Sequence, residues 1–160
     1  MNTEETAPDI ELHEKELSEE AIALNKEKKT VDELKTIWKP RTELGRKVKE
    51  GIISNIDQIL NKGIPIMEPE IVDMLFPNIE SDLLMIGQAK GKFGGGQRRV
   101  FKQTQKKTAE GNKPHFATCA VVGNRDGYVG VGYGKSKETV PARDKATRSA
   151  KLNIFKIRRG

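Results

Sequence analysis

The residues of this 160-residue chain that best suit binding chemistry form a glycine-rich bend followed by a cationic segment. Gly130, Gly132 and Gly134 alternate, and Lys135 and Lys137 come next. Further cations follow at Arg143, Lys145 and Arg148. At the start of a helix, such a segment offers free backbone N–H groups, a positive dipole end and cations, which together favour phosphate. The pattern therefore predicts an anion-binding site.

A mononucleotide is the first anion to consider, because Gly134-Lys135-Ser136 matches the end of a P-loop. The P-loop needs a glycine five residues before its Gly-Lys pair. Val129 occupies that position, and Gly130 comes one place too late. A dinucleotide-binding glycine pattern is missing as well, because the glycines here alternate. We reject mononucleotide binding, which leaves a polyanion-binding surface or a glycine-rich hairpin whose cations form only a solvated face.

Two strands, a tight turn and a helix must position this segment. Phe116–Val122 is rich in β-branched and small apolar residues, which is typical of a strand buried on at least one face. Asp126-Gly127 follows, and this dipeptide between apolar runs predicts a hairpin turn. In the return strand, glycines at a period of two share one face and let another backbone come close. We expect that backbone to be a helix capped by Thr139, with Pro141 in its first turn. Ala142, Ala146, Ala150 and Ile154 recur every four residues, which gives this helix a narrow stripe of mostly small residues that can pack closely on the sheet.

Charge divides the chain into an acidic start and a basic end. Residues 1–36 carry 11 acidic and 5 basic side chains, whereas residues 83–160 carry 4 acidic and 18 basic side chains. A half this basic is typical of a protein that binds a polyanion. An anionic membrane is the competing partner, but no basic amphipathic helix with a hydrophobic face occurs. The charge pattern therefore favours a nucleic acid.

The acidic N-terminus and the lack of an apolar run near 18 residues predict a soluble, cytoplasmic protein with no membrane partner. We divide the chain into an acidic, flexible and disordered tail (1–36), a helical extension (37–80) and an RNA-binding-like domain (81–160). In the extension, Thr42 caps a helix through about Glu50, and Ser54–Asp57 resembles a capping box for a second helix that Gly63 ends. Glu68-Pro69-Glu70 opens a third helix, which Pro77 stops.

The basic half predicts an antiparallel sheet followed by one helix. A first strand is expected over Leu83–Ala89, a basic loop over Gly91–Gly96, and a heavily cationic second strand over Arg98–Lys107. Thr108–Pro114 has the composition of a turn-rich loop that leads back to Phe116. The fold class is α+β, with a domain like the double-stranded-RNA-binding domain, which grips phosphates with cations at its helix start and reads shape and 2′-hydroxyls.

No group of residues predicts catalysis. Cys119 lies alone in an apolar strand, and a lone buried thiol is typically inert. His13 and His115 have no ligand-forming partners at zinc spacing. Asp144 is best placed to pair with Arg148 four residues on. We expect no enzyme activity, no cofactor, no metal and no small-molecule substrate.

The candidate RNA-binding residues are the cations of the sheet, its loops and the helix. We expect them to bind phosphates, which gives affinity and position without reading bases. They are Arg98, Arg99, Lys102, Lys106, Lys107, Lys113, Arg125, Lys135, Lys137, Arg143, Lys145 and Arg148. Lys145 is the weakest candidate, because its aliphatic stem could instead cover the sheet edge.

Three stretches of this sequence resemble the archaeal branch of the small-subunit ribosomal protein S five family. The eukaryotic counterpart of this family is ribosomal protein S two. The core stretch is Gly123-Asn-x-x-Gly-x-Val-Gly-x-Gly-x-Gly-Lys-x-x-Glu-x-x-x-Ala-x-x-Lys-Ala146. Trp38-Lys-Pro-Arg-Thr-x-Leu-Gly45 and Ile66-x-Glu-Pro-Glu-Ile-Val-Asp73 resemble the family's N-terminal extension. The resemblance covers Trp38 to Gly160, and Ser136 stands where many relatives have alanine.

The resemblance implies a structural constituent of the small ribosomal subunit that binds ribosomal RNA and contributes to subunit assembly and translational accuracy. It implies neighbouring small-subunit ribosomal proteins as partners, and a loop over Lys106–Lys113 that approaches ribosomal RNA. Family members continue past Arg158-Arg159-Gly160 into a second α/β domain. We expect this chain to lack that domain, so its roles do not carry over.

Two other functions stay open on the sequence. One is a free-standing double-stranded-RNA-binding module that regulates RNA away from the ribosome. The other is a nucleotide-dependent enzyme using Gly134-Lys135-Ser136, which the one-residue spacing error opposes.

Overall fold

A computed structural model describes residues 35–88 and 98–158. The chain divides into two compact units, Met1–Lys39 and Pro40–Gly160, and the account below concerns the second. The predicted loop over Gly91–Gly96, the end of the first strand at Ala89 and nearly all of the predicted tail lie outside the described residues.

Three short helices precede the sheet: α1 (Glu43–Lys49), α2 (Asp57–Leu60) and α3 (Pro69–Leu75). The predicted cap of α1 is confirmed, because the Thr42 hydroxyl accepts a hydrogen bond from the Gly45 N–H at 3.0 Å. Pro69 is the first residue of α3, also as predicted. The predicted capping box at Ser54 is wrong. Ile56 is the N-cap of α2 and makes no side-chain cap bond, so this four-residue helix is held by its neighbours rather than by its own start.

Glu68 joins the first and third of these helices. Its Oε1 accepts hydrogen bonds from the backbone N–H groups of Arg41 at 3.0 Å and Thr42 at 2.7 Å. The side chain is buried, with 8% exposure, so the carboxylate is shielded from water while it binds these donors. Sequence reasoning placed Glu68 at the helix start for its charge, and the structure adds this link across 26 residues.

The remaining elements form an antiparallel sheet, one long helix and a small two-stranded sheet. They are β1 (Glu80–Leu84), β2 (Gly87–Gln88), β3 (Arg98–Arg99), β4 (Lys102–Thr108), β5 (Gly111–Gly123), β6 (Tyr128–Ser136), α4 (Thr139–Leu152) and β7 (Ile154–Lys156). The main sheet has the order β1-β5-β6-β7, with β4 also paired to β5, and β2 pairs with β3 separately. Phe116 and Ala117 pair with β4 on one side and with β6 on the other, so β4 and β1 share one edge of β5. The predicted fold class is confirmed.

The first two predicted strands differ from the structure in their bounds. The strand expected over Leu83–Ala89 begins earlier, at Glu80, and stops at Leu84. The strand expected over Arg98–Lys107 divides at Val100 and Phe101 into β3 and β4. The β2 backbone lies close against this division, because a Cβ at Gly87 would collide with the Phe101 carbonyl.

The predicted loop over Thr108–Pro114 is wrong, because most of it is strand. Ala109 and Glu110 alone separate β4 from β5, and Gly111 adopts φ +120° directly after them. The Thr108 hydroxyl donates to the Gly111 carbonyl at 2.6 Å. Pro114 fits a strand here because pairing with β6 begins only at Phe116, which leaves β4 as its partner among the described strands.

The alternating glycines let α4 lie directly on the sheet, as predicted. A Cβ at Gly130, Gly132 or Gly134 would collide with the backbone of α4. The helix contributes Ala142, Ala146 and Ala150, all fully buried. Ala120 and Val122 of β5 complete this core, with Leu83 packed against it. The predicted cap is one residue off, because Glu138, in extended conformation, is the N-cap and Thr139 is already helical.

Two ion pairs attach the short helices to this core. Lys151 of α4 lies 2.6 Å from Asp73 of α3, and both side chains are largely buried. Lys156 of β7 donates to both carboxylate oxygens of Asp57 at 2.9 and 3.1 Å. This hydrogen bond lowers the pKa of Asp57 and raises the pKa of Lys156, with Tyr128 as a second hydrogen-bonding partner in each case.

Among the described residues, no helix combines the length and the apolar character that crossing a membrane requires.

Candidate nucleic-acid interface

The sheet has one face covered by α4 and one that is open. Along β6, the glycines lie on the face of the sheet that packs against α4, so the side chains of the residues between them lie on the opposite face. Strand pairing extends this alternation to the neighbouring strands. We define the open face as Glu80, Asp82, Leu84, Lys102, Thr104, Lys106, Thr108, Lys113, His115, Ala117, Cys119, Val121, Val129, Val131, Tyr133, Lys135 and Phe155.

Four predicted lysines lie in two rows on the open face. Lys102, Ala117 and Lys135 stand side by side across β4, β5 and β6, and Lys106 is directly opposite Lys113. All four lysines are exposed. Two strand spacings separate the lysines of the first row, about 10 Å. These four lysines, which we call the lysine rows, place several positive charges on one surface.

Like charges opposite one another destabilise a sheet unless counter-charges offset them. One such contact exists, because Lys113 Nζ lies 3.1 Å from Glu110 Oε2, in an exposed pair. Exposed pairs of this kind contribute little. The lysine rows are therefore a surface on which a bound polyanion would relieve repulsion.

The hairpin of β4 and β5 projects beyond the rest of the sheet. Lys102–Lys107 and Gly111–Pro114 are exposed throughout, on both faces. Lys107 points to the opposite side from the lysine rows, where it pairs with Asn112. A two-stranded ribbon with both faces in water is marginally stable by itself. Its conformation is one that a partner surface would stabilise.

A shallow hollow at the start of α4 brings two more predicted residues next to Lys135. Lys135, Lys137 and Lys145 line it, in a volume of about 590 Å³. His115, Ser136, Glu138 and Pro141 complete its lining. The hollow adjoins the lysine rows through Lys135 and His115, so the two features form one continuous cationic surface.

The glycines themselves do not cradle an anion, which corrects part of the sequence-based expectation. The space over Gly132 and Gly134 is filled by the backbone of α4. The anion-binding potential is confined to the hollow beyond Gly134. The α4 backbone on the glycine face leaves no room there for the phosphates of a mononucleotide.

The predicted arginines of α4 do not lie on the open face or in the hollow. Arg143 and Arg148 line a groove of about 830 Å³ against β1 and α3. Three carboxylates, those of Asp73, Asp82 and Asp144, line the same groove, so its charge is mixed. The predicted pair between Asp144 and Arg148 is wrong. Asp144 pairs with its neighbour Arg143 at 3.7 Å.

The structure separates the other predicted residues from the lysine rows. Arg98 and Arg99 are exposed on β3, in the small second sheet. Arg125 lies in the turn between β5 and β6, at φ +58°, with Nη2 2.7 Å and Nε 2.9 Å from Glu80 Oε2. The length of β6 puts this turn more than about 20 Å from Lys135.

Sequence reasoning did not place His115 or Tyr133 at the site. Both lie on the open face, His115 between the lysine rows and Tyr133 two residues before Lys135. The sequence contained the signal for Tyr133, because this residue alternates with the glycines of β6 and must therefore lie on the face opposite to them. It was hidden for His115, because the residues before it were expected to form a loop.

An antiparallel sheet crossed by one helix, with cations gathered where that helix begins, defines an α+β domain of the double-stranded-RNA-binding type. Residues 97–158 match the family model described as ribosomal protein S5, N-terminal domain. Over these residues, the chain carries the N-terminal domain of the ribosomal protein S5 family.

Curated relatives agree with this assignment. Over 123 residues, 77% of the chain, it is 50% identical to small ribosomal subunit protein uS5 of Nanoarchaeum equitans, of which it covers 52%. Over 123 residues as well, the chain is 48% identical to uS5 of Methanosphaera stadtmanae, of which it covers 48%. It is 45% identical to uS5 of Methanothermobacter thermautotrophicus, of which it covers 50%. The chain thus spans about half the length of these relatives.

Proposed function

We propose that this protein is a structural constituent of the small ribosomal subunit that binds ribosomal RNA through the open face and the hollow beside it. The observation that carries the proposal is the arrangement of the lysine rows, which place Lys102, Lys135, Lys106 and Lys113 on one surface. The relatives are named as proteins of the small ribosomal subunit. Neighbouring small-subunit proteins are the other proposed partners, and contributions to subunit assembly and translational accuracy are the proposed roles.

The physical basis of the proposed binding is neutralisation of phosphates. Each lysine that pairs with a phosphate releases condensed counterions, so affinity falls as salt rises. Phosphate contacts position a protein on RNA without reading its sequence. That suits a structural role, in which shape and charge decide where the protein sits.

We propose that the projecting hairpin is the part of the domain that extends into the RNA. It spans Lys106–Lys113, the segment for which the family resemblance implies an approach to ribosomal RNA. Its exposure on both faces supports contact with more than one RNA strand.

We also propose the division of the chain into a tail (1–36), a helical extension (37–80) and an RNA-binding-like domain (81–160). The start of β1 at Glu80 supports the second boundary. The pairs Lys151–Asp73 and Lys156–Asp57 support an extension that is attached to the domain.

The decisive experiment for the ribosomal role is sedimentation of native cell lysate through sucrose gradients at high and low magnesium. We expect the protein to follow the small subunit when the subunits separate. Recovery at the top of both gradients would refute the ribosomal role and favour the free-standing RNA-binding module.

The interface is tested by the salt dependence of RNA binding. Lys135→Glu combined with Lys137→Glu is expected to weaken binding of an RNA duplex and to lower the slope of log affinity against log salt by roughly one unit per lost phosphate contact. Arg125→Gln is the comparison, with a smaller change expected, because that guanidinium already pairs with Glu80 at the far end of β6. Equal slopes for wild type and the double variant would exclude the hollow from the interface.

A further inference from the structure

The open face carries an aromatic side chain that the phosphate contacts do not use. Tyr133 is 57% exposed, and its neighbour across the sheet is Cys119. Lys135 follows two residues later on the same face, about 7 Å along the strand. Tyr133 therefore stands at the boundary between the lysine rows and the apolar part of the face.

In the described part of the chain, the strand arrangement leaves one edge of β6 open beside Tyr133. The pairing of β7 with β6 runs from Tyr128 to Gly130, so it ends three residues before Tyr133. The ring thus lies on a part of β6 that has a strand neighbour on one side only among the described residues. Smaller apolar side chains continue the surface on the same face, with Val131 42% exposed and Leu84 47% exposed.

We propose that Tyr133 stacks an unpaired RNA base, so that the open face binds a single-stranded RNA segment whose phosphates lie along the lysine rows. This inference rests on the proposed RNA-binding function and names the form of RNA that the face takes. Exposed aromatic rings beside cations are the common platform for single-stranded RNA, because every base has a face that can stack.

The geometry favours an unpaired strand over a duplex for this contact. Bases in a duplex are stacked on one another and do not present their faces to a side chain. Ala117 stands between Lys102 and Lys135, and its side chain is too small to project between the two lysines, so a sugar-phosphate backbone that crosses the first lysine row can contact both. A strand on that path brings a base over the neighbouring row, where Tyr133 lies.

The same geometry favours RNA over an apolar protein surface. An apolar partner that covered Tyr133 and Val131 would also have to desolvate Lys135, two residues from Tyr133, and to approach Lys102 across the first lysine row. Burying an unpaired charge is costly. An RNA strand neutralises these charges and covers the ring in one contact.

The test compares two RNA probes and three variants of the full chain. The probes are a 12-nucleotide oligouridylate and a blunt RNA duplex of the same length, with affinity measured by fluorescence anisotropy. Tyr133→Ala is expected to weaken binding of the oligouridylate by about 5- to 100-fold, the range for loss of one stacked base. Its duplex affinity should stay within about twofold of wild type, and its salt slope should not change, because no charge is lost.

Two matched variants separate stacking from general apolar contact. Tyr133→Phe keeps the ring and is expected to keep oligouridylate affinity within about threefold. Val131→Ala removes exposed apolar surface from the same strand face and should change it less than twofold. Since both positions are exposed, circular dichroism should show the wild-type fold for all three variants.

Cross-linking gives an independent readout. An oligonucleotide containing 5-iodouridine, irradiated with the wild-type protein, is expected to cross-link to the peptide that carries Tyr133. The inference is overturned if Tyr133→Ala binds oligouridylate as well as wild type does, if it loses the same affinity for both probes, or if the cross-link maps elsewhere. Failure of wild type to bind either RNA would instead overturn the proposed function itself.

Discussion

Gly132 is the position at which the packing of α4 can be tested most sharply. Its backbone is not in the left-handed region, so glycine is needed for space and not for conformation. A Cβ there would lie 2.6 Å from the Ser149 carbonyl carbon and closer still to the Ala146 oxygen and the Ala150 nitrogen. Ordinary contact begins near 3.4 Å. Gly132→Ala therefore forces the helix away from the sheet by about 1 Å.

The expected cost is at the upper end for overpacking, about 3 kcal/mol, because the obstructing atoms are backbone and cannot rotate aside. In thermal unfolding, this should lower Tm by roughly 10 °C. Gly111→Ala is the matched control, because its Cβ meets nothing within 4 Å but its φ of +120° is unfavourable for alanine. That control should cost about 1–2 kcal/mol.

Ala146→Gly offers a second check on the same reasoning. It removes a side chain from the helix but leaves the backbone that collides with the new Cβ, so it should not rescue Gly132→Ala. A Gly132→Ala variant as stable as wild type, or restored by Ala146→Gly, would refute direct backbone contact between β6 and α4.

Two further predictions concern the helical extension. Glu68→Ala should lower the free energy of unfolding in urea by about 1–3 kcal/mol, since it leaves the N–H groups of Arg41 and Thr42 without their carboxylate acceptor; no change in the urea midpoint would count against this link. Lys156→Gln should raise the pKa of Asp57, followed by NMR titration of its carboxyl carbon, because the hydrogen bond that lowers it is lost. In wild type, the depressed pKa of Asp57 gives stability that is present above its unfolded value and lost as pH falls through the folded value. The raised pKa of Lys156 gives stability that is present below its unfolded value and lost as pH rises through the folded value. In Lys156→Gln the lysine contribution is removed, and the Asp57 contribution should shrink to the part that the Tyr128 hydrogen bond supplies. An unshifted Asp57 titration would contradict the pairing.

Elements with strong local signals could be predicted from the sequence. The hairpin around Asp126-Gly127, the helix over the alternating glycines and the start of α1 at Thr42 depend on turn, packing and capping residues close in sequence. Local signals failed where distant pairing decides the structure. Gly111, Asn112 and Pro114 are typical of a loop, yet pairing with β4 holds them in a strand.

The candidate site was predictable in composition and not in arrangement. The residue types of the basic half identified the candidate cations, but which of these cations share a surface depends on the register between β4 and β5. That register places Lys106 opposite Lys113 and turns Lys107 to the other side. A shift of one residue would exchange them, and nothing in the sequence of β4 alone distinguishes the two registers.

The packing of α4 and the composition of the open face follow from one constraint. Because α4 requires bare backbone at Gly130, Gly132 and Gly134, the residues between them must point away from the helix. Tyr133 and Lys135 are therefore placed on the open face by the same alternation that builds the core. Pairing with β5 then sets Lys135 beside Ala117, and Ala117 beside Lys102. A slip of β6 by one residue would bury a lysine and a tyrosine under α4, so the register that stabilises the core also fixes the cationic surface.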